Sequence, residues 1–378
     1  MEMNSKTYGV LPSGEAVTEF TLLNAGLMLK AITYGGVITE LHTPDRFGNI
    51  EDIVLGLPDL EAYLAGHPWL GAIVGRVAGR ISAGTFRLDG ETIQLETNDP
   101  PNHLHGGTEA LDKKNWIGET GVNREHEPFI RFSYNSPDGE CGYPGNVAFK
   151  VTYTLTNDAS LRIDYAATTD RATPISLTNH TYFNLAGESA GSTEKHMLQI
   201  HADYWVPADE NYTLSGSVES LAGRANDFNQ SKRVDEPWSR MQLNHGDNYM
   251  IRRDKKKALV SVARVEDPAT GRVMEVESTE ACLQFYNAKF LGDAKVIGKC
   301  GRLYLPHDGL CFECHGYPDG VNHPEVDDIV IRPPETYRQT TLYRFGVRER
   351  VRRGPCASSG RRARRVKRSR PASPPPDP

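Results

Sequence analysis

Four polar clusters in this chain contain side-chain types that carry protons in enzymes. They are residues 102–107 (NHLHGG), residues 178–185 (TNHTYFNL), residues 246–249 (GDNY) and Glu313 in an otherwise apolar run. Imidazole and carboxylate groups both titrate near neutral pH once their surroundings tune them, which suits general acid–base catalysis. A lone Asn-His pair is usually a hydrogen-bonded loop feature. The combination of two histidines, two carboxylates and an arginine pair, Arg76 and Arg80, favours a functional site.

Two other motifs imitate known catalytic or haem signatures. Residues 187–191 (GESAG) match the G-x-S-x-G nucleophile elbow, which needs a strand before it and a helix after it. The segment that follows, HMLQIHADYWV, alternates like a strand, so a loop is predicted instead. Residues 311–315 (CFECH) match the C-x-x-C-H haem motif, but they also alternate like a strand. Successive strand residues face opposite sides, so Cys311 and Cys314 are expected to point apart.

A metal site is the third alternative that the motifs raise. His103 and His105, followed by Glu109, imitate the H-x-H…E arrangement of cupins. Two histidines at i and i+2 on a strand can chelate one ion, although a further histidine from a distant strand would be needed. A metal-dependent cupin therefore stays open as an alternative, and the favoured prediction is a site without metal.

The elements that must position these residues are predicted to be short strands. Alternating patterns bounded by turn residues occur at 27–32, 147–155, 161–165, 273–278 and 282–286. Residues 85–95 predict a hairpin with Asp89-Gly90 at its turn, and residues 57–65 predict a short helix. This density of strands predicts an all-β protein built as a large antiparallel β-sandwich.

The amino-acid composition along the chain predicts how the protein divides into domains. No Gly/Ser- or Pro-rich linker interrupts residues 6–345, so residues 1–345 are predicted to form one domain. Residues 346–378 contain 11 Lys/Arg and 2 Asp/Glu, which leaves 32 and 47 in residues 1–345. The body therefore carries a net charge of −15 and the tail +9. The tail is basic and then Pro-rich, and it is predicted to be disordered.

The same composition indicates which classes of partner the protein is expected to bind. An acidic body is unlike a nucleic-acid binder, and neutral substrates are compatible with it. No segment reaches 18 consecutive apolar residues, the N-terminus lacks an apolar core of signal-peptide length, and six cysteines are too few for a disulfide scaffold. A cytoplasmic protein with no membrane partner is expected, and the sequence sets no oligomeric state. No G-x-G-x-x-G or P-loop signature is present, so no nucleotide cofactor is expected.

Further segments match a known family in their order along the chain. They are residues 24–36, 43–48 (TPDRFG), 54–56, 75–81 (GRVAGRI), 104–107 (LHGG), 179–185 (NHTYFNL), 284–286 (QFY), Glu313 and 332–337 (RPPETY). Through them the chain resembles the galactose mutarotase (aldose 1-epimerase) family across about residues 6–345. The resemblance implies a large antiparallel β-sandwich with a sugar bound in an open cleft on one sheet. It also implies cofactor-free interconversion of the α and β anomers of galactose or glucose.

The resemblance implies a role for each matching residue. His180 is implied to be the general acid and Glu313 the general base. The residues implied to hold the hydroxyls of an aldohexose are Arg80, His105, Tyr182, Asp247 and Gln284.

The chain departs from the family pattern at three places. Gly79 stands where the family usually has Asn, Asn248 stands where His often follows the aspartate, and Cys314-His315 stand where Thr-Gln is common. All three leave His180 and Glu313 in place, so they are expected to affect substrate preference more than activity.

Two alternatives on the same fold remain. One is a catalytically silent sugar-binding module, which the intact His180 and Glu313 disfavour. The other is an epimerase for a phosphorylated hexose, which would need additional basic residues at the cleft.

Overall fold

The computed structural model describes residues 1–212, 214, 216–240 and 246–348, and these residues are almost entirely strands and turns. The first ten strands are β1 (Glu2–Val10), β2 (Ala16–Asn24), β3 (Leu27–Ile32), β4 (Ile38–Pro44), β5 (Ile50–Asp52), β6 (Ile73–Val74), β7 (Arg80–Ile81), β8 (Thr85–Leu88), β9 (Glu91–Gln94) and β10 (His103–Leu104). The next ten are β11 (Ile117–Val122), β12 (Pro128–Ser136), β13 (Val147–Leu155), β14 (Ser160–Thr169), β15 (Thr173–Pro174), β16 (Thr178–Asn179), β17 (Tyr182–Phe183), β18 (Met197–Ile200), β19 (Ala202–Val206) and β20 (Glu219–Ser220). The remaining strands are β21 (Lys232–Arg233), β22 (Gly246–Ile251), β23 (Val260–Glu266), β24 (Arg272–Ser278), β25 (Cys282–Tyr286), β26 (Leu310–His315), β27 (Val330–Ile331) and β28 (Thr336–Val347).

Helical structure is confined to short segments. The α-helix α1 spans Leu60–Leu64, and 3₁₀ turns occur at Ser82–Gly84, Leu111–Lys113, Glu140–Gly142, Trp238–Arg240 and Leu291–Ala294. The helix begins three residues later than the prediction for 57–65. Asp59 accounts for the later start, because its extended backbone and its carboxylate, which accepts from the backbone N–H of Ala62 at 2.9 Å, cap the first turn.

Most of the strands belong to three large sheets. The largest has the order β11-β12-β13-β14-β28-β24-β23-β18-β21, the second has the order β17-β26-β25-β22-β19-β20, and the third runs β1-β2-β3-β4-β5. Antiparallel pairing joins the neighbouring strands in each of them. Smaller two-stranded sheets pair β10 with β7, β15 with β27, β16 with β6 and β8 with β9.

All three large sheets contribute side chains to one continuous core. Phe20 of the five-stranded sheet contacts Phe132 of the nine-stranded sheet with ring centroids 6.3 Å apart. Phe183 of the six-stranded sheet lies 5.1 Å from Tyr343 of the nine-stranded sheet. Burying apolar area in this way supplies the main driving force for folding. The all-β fold and the antiparallel sandwich are therefore as predicted.

The local patterns explain why these strands form. Along β13 the buried Val147, Phe149 and Val151 alternate with exposed residues, which is the period of a strand with one face in the core. The predicted hairpin is also present, since β8 pairs with β9 and the turn residues Asp89 and Gly90 have φ of 51° and 87°. Positive φ at both positions is what a two-residue type I′ turn requires.

Within the described residues, no helix is long and apolar enough to cross a membrane. The prediction for the tail falls on residues 346–378, of which 349–378 lie outside the described part of the chain. The last strand, β28, ends at Val347.

Candidate active site

The register of the six-stranded sheet brings three polar side chains into one row. Glu313 on β26 pairs with Gln284 on β25, and Gln284 pairs with Asn248 on β22. Because neighbouring residues of a strand face opposite sides, Phe312 and Phe285 point the other way, into the core. The sheet therefore has one apolar face inside the sandwich and one face that carries a polar row.

His180 is held over this row by the backbone between β16 and β17. Its N–H donates to the carbonyl of Ala72 at 2.9 Å, and its own carbonyl accepts from the N–H of Gly71 at 3.0 Å. The imidazole stacks on the ring of Tyr182 with centroids 4.9 Å apart. These contacts fix the orientation of the ring without using either of its nitrogens.

His180 and Glu313 form a close, buried pair. Nε2 of His180 lies 3.6 Å from Oε1 of Glu313, and the residues are 3 % and 2 % exposed. Nδ1 of the histidine and Oε2 of the glutamate have no hydrogen-bond partner among the described residues. Leaving such a buried polar atom unpaired costs about 1–3 kcal/mol, so the arrangement favours a site where a ligand completes the hydrogen bonds.

Burial moves the two pKa values in opposite directions. It lowers the pKa of His180 to about 3, because the cation is poorly solvated there. It raises the pKa of Glu313 to about 8 for the same reason, and the positive charge of Arg80 opposes this rise. Between these values the pair carries one proton, and burial favours the neutral state in which the carboxyl holds it.

His105 approaches the pair from the loop after β10. Its φ is 53°, and its ring centroid lies 5.4 Å from that of His180. The backbone N–H of Gly79 donates to its Nδ1 at 3.2 Å, and burial holds its pKa well below the usual value. The neutral ring therefore carries its proton on Nε2 and is a hydrogen-bond donor there.

Trp69 is a neighbour of both histidines that sequence reasoning missed. Its ring centroid lies 4.7 Å from that of His105 and 6.1 Å from that of His180. Nothing in the local sequence, HPWL, marks this tryptophan, which follows α1 in an irregular loop. The indole therefore packs against both imidazoles.

Arg80 and Arg76 have different roles although they are four residues apart. The Nε of Arg80 donates to Asp99 at 2.7 Å, and its guanidinium lies 5.2 Å from the ring centroid of Tyr212. Arg76 is buried elsewhere and donates to the Ser136 hydroxyl and to backbone carbonyls of residues 136–145. Arg80 therefore belongs to the candidate site, whereas Arg76 holds a loop.

Arg80, Asp247, Asn248 and Gln284 line a small cleft. Within it the amide Nε2 of Gln284 donates to the carbonyl of Phe285 at 2.9 Å. Tyr182 lies outside this lining, and its hydroxyl donates to the carbonyl of Pro68 at 3.0 Å. Tyr182 therefore contributes to the site through its ring rather than its hydroxyl.

Asp247 and Asn248 are neighbours on β22, and both line the cleft. Asp247 pairs with Phe285, accepts from the side chain of Asn226 at 2.9 Å, and has its pKa raised to about 6 by burial. Asn248 lies in the polar row beside Gln284, and its Oδ1 is buried without a partner among the described residues. Asn248 is therefore a second candidate contact, which sequence reasoning treated as a departure from the family.

The structure also shows where the residues of the competing motifs lie and what they contact. Residues 187–191 form turns without a following helix, and Glu188 accepts from the hydroxyl of Tyr304. Cys311 and Cys314 pack in two separate apolar clusters, on opposite faces of β26. Both ring nitrogens of His103 are engaged, Nδ1 with the carbonyl of Glu96 and Nε2 with the hydroxyl of Tyr143, each at 2.8 Å. The esterase, haem and H-x-H metal interpretations of these motifs are therefore not supported.

A different trio has the composition of a metal site. One ligand atom each of His105, His180 and Glu313 lies within 4.8 Å of the others. However, the N–H of Gly79 occupies Nδ1 of His105, so Nε2 of that ring is protonated and cannot coordinate a cation in this state. The trio suits hydrogen bonding to a ligand better than metal coordination.

Comparison with known proteins agrees with the all-β fold. The family model for aldose 1-epimerase matches residues 18–344. The chain is 40 % identical over 342 residues to galactose mutarotase of Homo sapiens, covering 90 % of this chain and 97 % of that protein. It is 33 % identical over 353 residues to aldose 1-epimerase of Escherichia coli K12, covering 91 % and 99 %. The crystal structure of galactose 1-epimerase from Lactobacillus acidophilus matches with a TM-score of 0.80 at 26 % identity, covering 92 % and 99 %. The sequence matches and the shared fold show that the chain belongs to the aldose 1-epimerase family.

Proposed function

We propose that this protein is a mutarotase that interconverts the α and β anomers of an aldohexose such as galactose or glucose. The observation that carries the proposal is the buried His180–Glu313 pair, 3.6 Å apart, with an unpaired polar atom on each partner. Ring opening of a sugar needs two such groups, one to accept a proton and one to donate it.

The reaction follows from the positions of these two groups. Glu313, as the base, takes the proton of the anomeric hydroxyl while His180, as the acid, delivers a proton to the ring oxygen. The bond between the anomeric carbon and the ring oxygen breaks, and a carbonyl forms at the anomeric carbon. The open aldehyde turns about the bond to the next carbon, and the same groups act in reverse to close the ring on the other face.

The pair needs one proton for this chemistry, and it holds one across the neutral range. In the empty site the carboxyl is the favoured position for the proton. The active arrangement, with the proton on His180, is the minor form of the same one-proton state. Both forms have the same total charge, so their ratio does not change with pH.

The remaining residues are proposed to bind the sugar. His105 offers an Nε2–H donor, Arg80 offers the guanidinium hydrogens that Asp99 leaves available, and Gln284 offers its amide from the polar row. The aromatic ring of Tyr182, which stacks on the imidazole of His180, is proposed to form one side of the sugar site. Asp247 is proposed to accept from a hydroxyl at the far end of the cleft. Charge-assisted hydrogen bonds of this kind give specificity among neutral sugars.

The test of the function is polarimetry on freshly dissolved α-galactose and α-glucose without added cofactor. We expect the purified protein to accelerate anomer equilibration above the buffer blank. Rates equal to the blank across several aldoses would exclude the enzyme and favour a silent sugar-binding module. Activity abolished by a chelator and restored by a metal would instead favour a metal-dependent reaction.

The pH dependence of kcat/KM provides a second expected result. Above the raised pKa of Glu313, about 8, the pair loses its single proton and the acid is gone. We therefore expect a plateau through neutral pH and a tenfold fall per pH unit above about 8, after subtraction of the spontaneous rate. A profile that keeps rising to pH 9.5 would contradict the one-proton account.

Asp247 and Asn248 can be separated by substitution. Asp247→Asn keeps the shape of the side chain and removes an acceptor, so KM should rise roughly 10-fold or more while kcat changes little. Asn248→Ala is the matched variant at the neighbouring residue, which lines the same cleft. A larger KM effect at Asn248 than at Asp247, measured by initial-rate polarimetry, would move the sugar contact to Asn248.

A phosphorylated hexose is the less favoured substrate. Arg80 is the one cation among the described residues that line the cleft, and its guanidinium is already paired with Asp99 at 2.7 Å. We also propose that residues 1–345 form the catalytic domain and that the basic tail has no part in turnover.

A further inference from the structure

Two of the departures from the family pattern lie side by side in the fold. Gly79 precedes β7, and His315 ends β26. A Cβ atom added at Gly79 would lie 3.9 Å from Cε1 of His315 and 3.8 Å from Cβ of Pro318. The imidazole of His315 therefore borders the space that an asparagine side chain at position 79 would enter.

His315 shares the site with the residues already described. It lies two residues beyond Glu313 on β26, so the two side chains project from the same face of the strand. It pairs with Cys282 in the row next to the one that contains Gln284. It also lies close enough to His105 to help lower the pKa of that ring. His315 is thus a buried neighbour of the candidate site.

The hydrogen bond of His315 defines which of its ring nitrogens is left as an acceptor. Its Nδ1 lies 2.7 Å from the carbonyl oxygen of Gly316, and a carbonyl only accepts, so Nδ1 is the donor. Burial lowers the pKa of this ring to about 4, which keeps it neutral at physiological pH. Nε2 therefore carries a lone pair, and it makes no hydrogen bond within the described part of the chain.

We propose that His315 is a specificity-determining residue whose Nε2 accepts a hydrogen bond from one sugar hydroxyl and so takes over the role that an asparagine side chain at position 79 would have. The inference rests on the proposed function and extends it to substrate choice. An asparagine amide both donates and accepts, whereas this imidazole only accepts. The site therefore demands a hydroxyl donor at that sugar position, and replacement of the hydroxyl by hydrogen or fluorine removes the hydrogen bond.

The experiment compares His315→Leu with the wild-type protein on galactose and on its 2-, 3-, 4- and 6-deoxy analogues. We expect the KM for galactose to rise roughly 3–10-fold with kcat within about twofold, as for one neutral hydrogen bond. For one deoxy sugar the two proteins should show equal KM, since the hydroxyl that His315 contacts is already missing. The fluorinated analogue at that position should behave like the deoxy sugar.

A second variant tests whether the two positions substitute for each other. Adding Gly79→Asn to His315→Leu should bring KM back towards the wild-type value, because an amide then enters the space beside position 315. The backbone permits this change, since φ at Gly79 is 74°, a region that asparagine tolerates, and the added Cβ meets only ordinary contacts. The melting temperature of each variant serves as the control for folding.

Two outcomes would overturn the proposal. One is an equal loss on every deoxy sugar, and the other is a fall in kcat at constant KM with no rescue by Gly79→Asn. Either would show that His315 acts through the shape of the site. If the wild-type protein turned over no aldose, the proposed function would fail separately. Calorimetric binding of galactose to the same variants would then decide the role of His315.

Discussion

Glu313→Gln is expected to lower turnover by roughly 10²–10⁴-fold while the affinity for galactose changes little. Glutamine keeps the size and shape of the side chain in a site that is almost fully buried, and it removes the proton acceptor. A loss confined to the transition state lowers kcat rather than ground-state binding. The measurement is polarimetric kcat together with calorimetric binding of the sugar.

His180→Asn supplies the matched comparison for the acid. It should cause a similar loss of kcat, because the proton for the ring oxygen then has no source in the pair. The double variant should be scarcely worse than either single one, since two groups that pass one proton act as a unit. Near-normal turnover by Glu313→Gln would refute the base assignment and direct attention to Asp247 as another buried carboxylate that lines the cleft.

The fold could be predicted from the sequence because strand periodicity is local. The alternation at 147–155, 273–278 and 282–286 corresponds to strands with nearly the same bounds, β13, β24 and β25. The hairpin turn at Asp89-Gly90 could be predicted from the sequence in the same way. The start of α1 was missed because a capping aspartate resembles helix sequence until its extended backbone is seen.

The candidate site could be predicted only in part from the sequence. Segments that match a family identify residue types, but the face that each residue occupies depends on register, where a shift of one position reverses the direction of the side chain. Asp247 and Asn248 are adjacent in sequence, but Asp247 pairs with Phe285 and Asn248 pairs with Gln284. Trp69 comes from an irregular loop, where no period signals that it reaches His105 and His180.

Arg76 and Arg80 illustrate the same limit and yield the second large prediction. The sequence presents them as one arginine pair, but Arg76 is 3 % exposed and is surrounded by oxygen acceptors. It donates to the carbonyls of Pro144 and Gly145 at 3.0 Å, to that of Pro137 at 2.9 Å and to the Ser136 hydroxyl at 2.7 Å. Without the guanidinium, the buried carbonyls of Pro144 and Gly145 would lose this partner, whereas the exposed Pro137 carbonyl also accepts from the N–H of Glu140 at 3.1 Å.

Arg76→Met should therefore destabilise the protein by roughly 3–5 kcal/mol, since it removes charged hydrogen bonds and takes the partner away from the buried carbonyls of Pro144 and Gly145. A fall in melting temperature of roughly 5–10 °C is expected. The milder Arg76→Lys keeps the charge but loses the planar guanidinium, so its melting temperature should lie between those of Arg76→Met and the wild-type protein. The folded fraction of either variant should keep a near-normal KM, because Arg76 does not line the cleft.

Arg80→Met is the matched control and should show the opposite pattern. Its ion pair with Asp99 is partly exposed, and such pairs contribute about 0–1 kcal/mol, so the melting temperature should hardly move. KM should rise roughly 10-fold or more if Arg80 binds a sugar hydroxyl. The alkaline limb of kcat/KM should also shift to higher pH, because the cation that holds down the pKa of Glu313 is gone. A large stability loss at Arg80 with unchanged KM would reverse the two assignments, leaving Arg80 as a loop anchor.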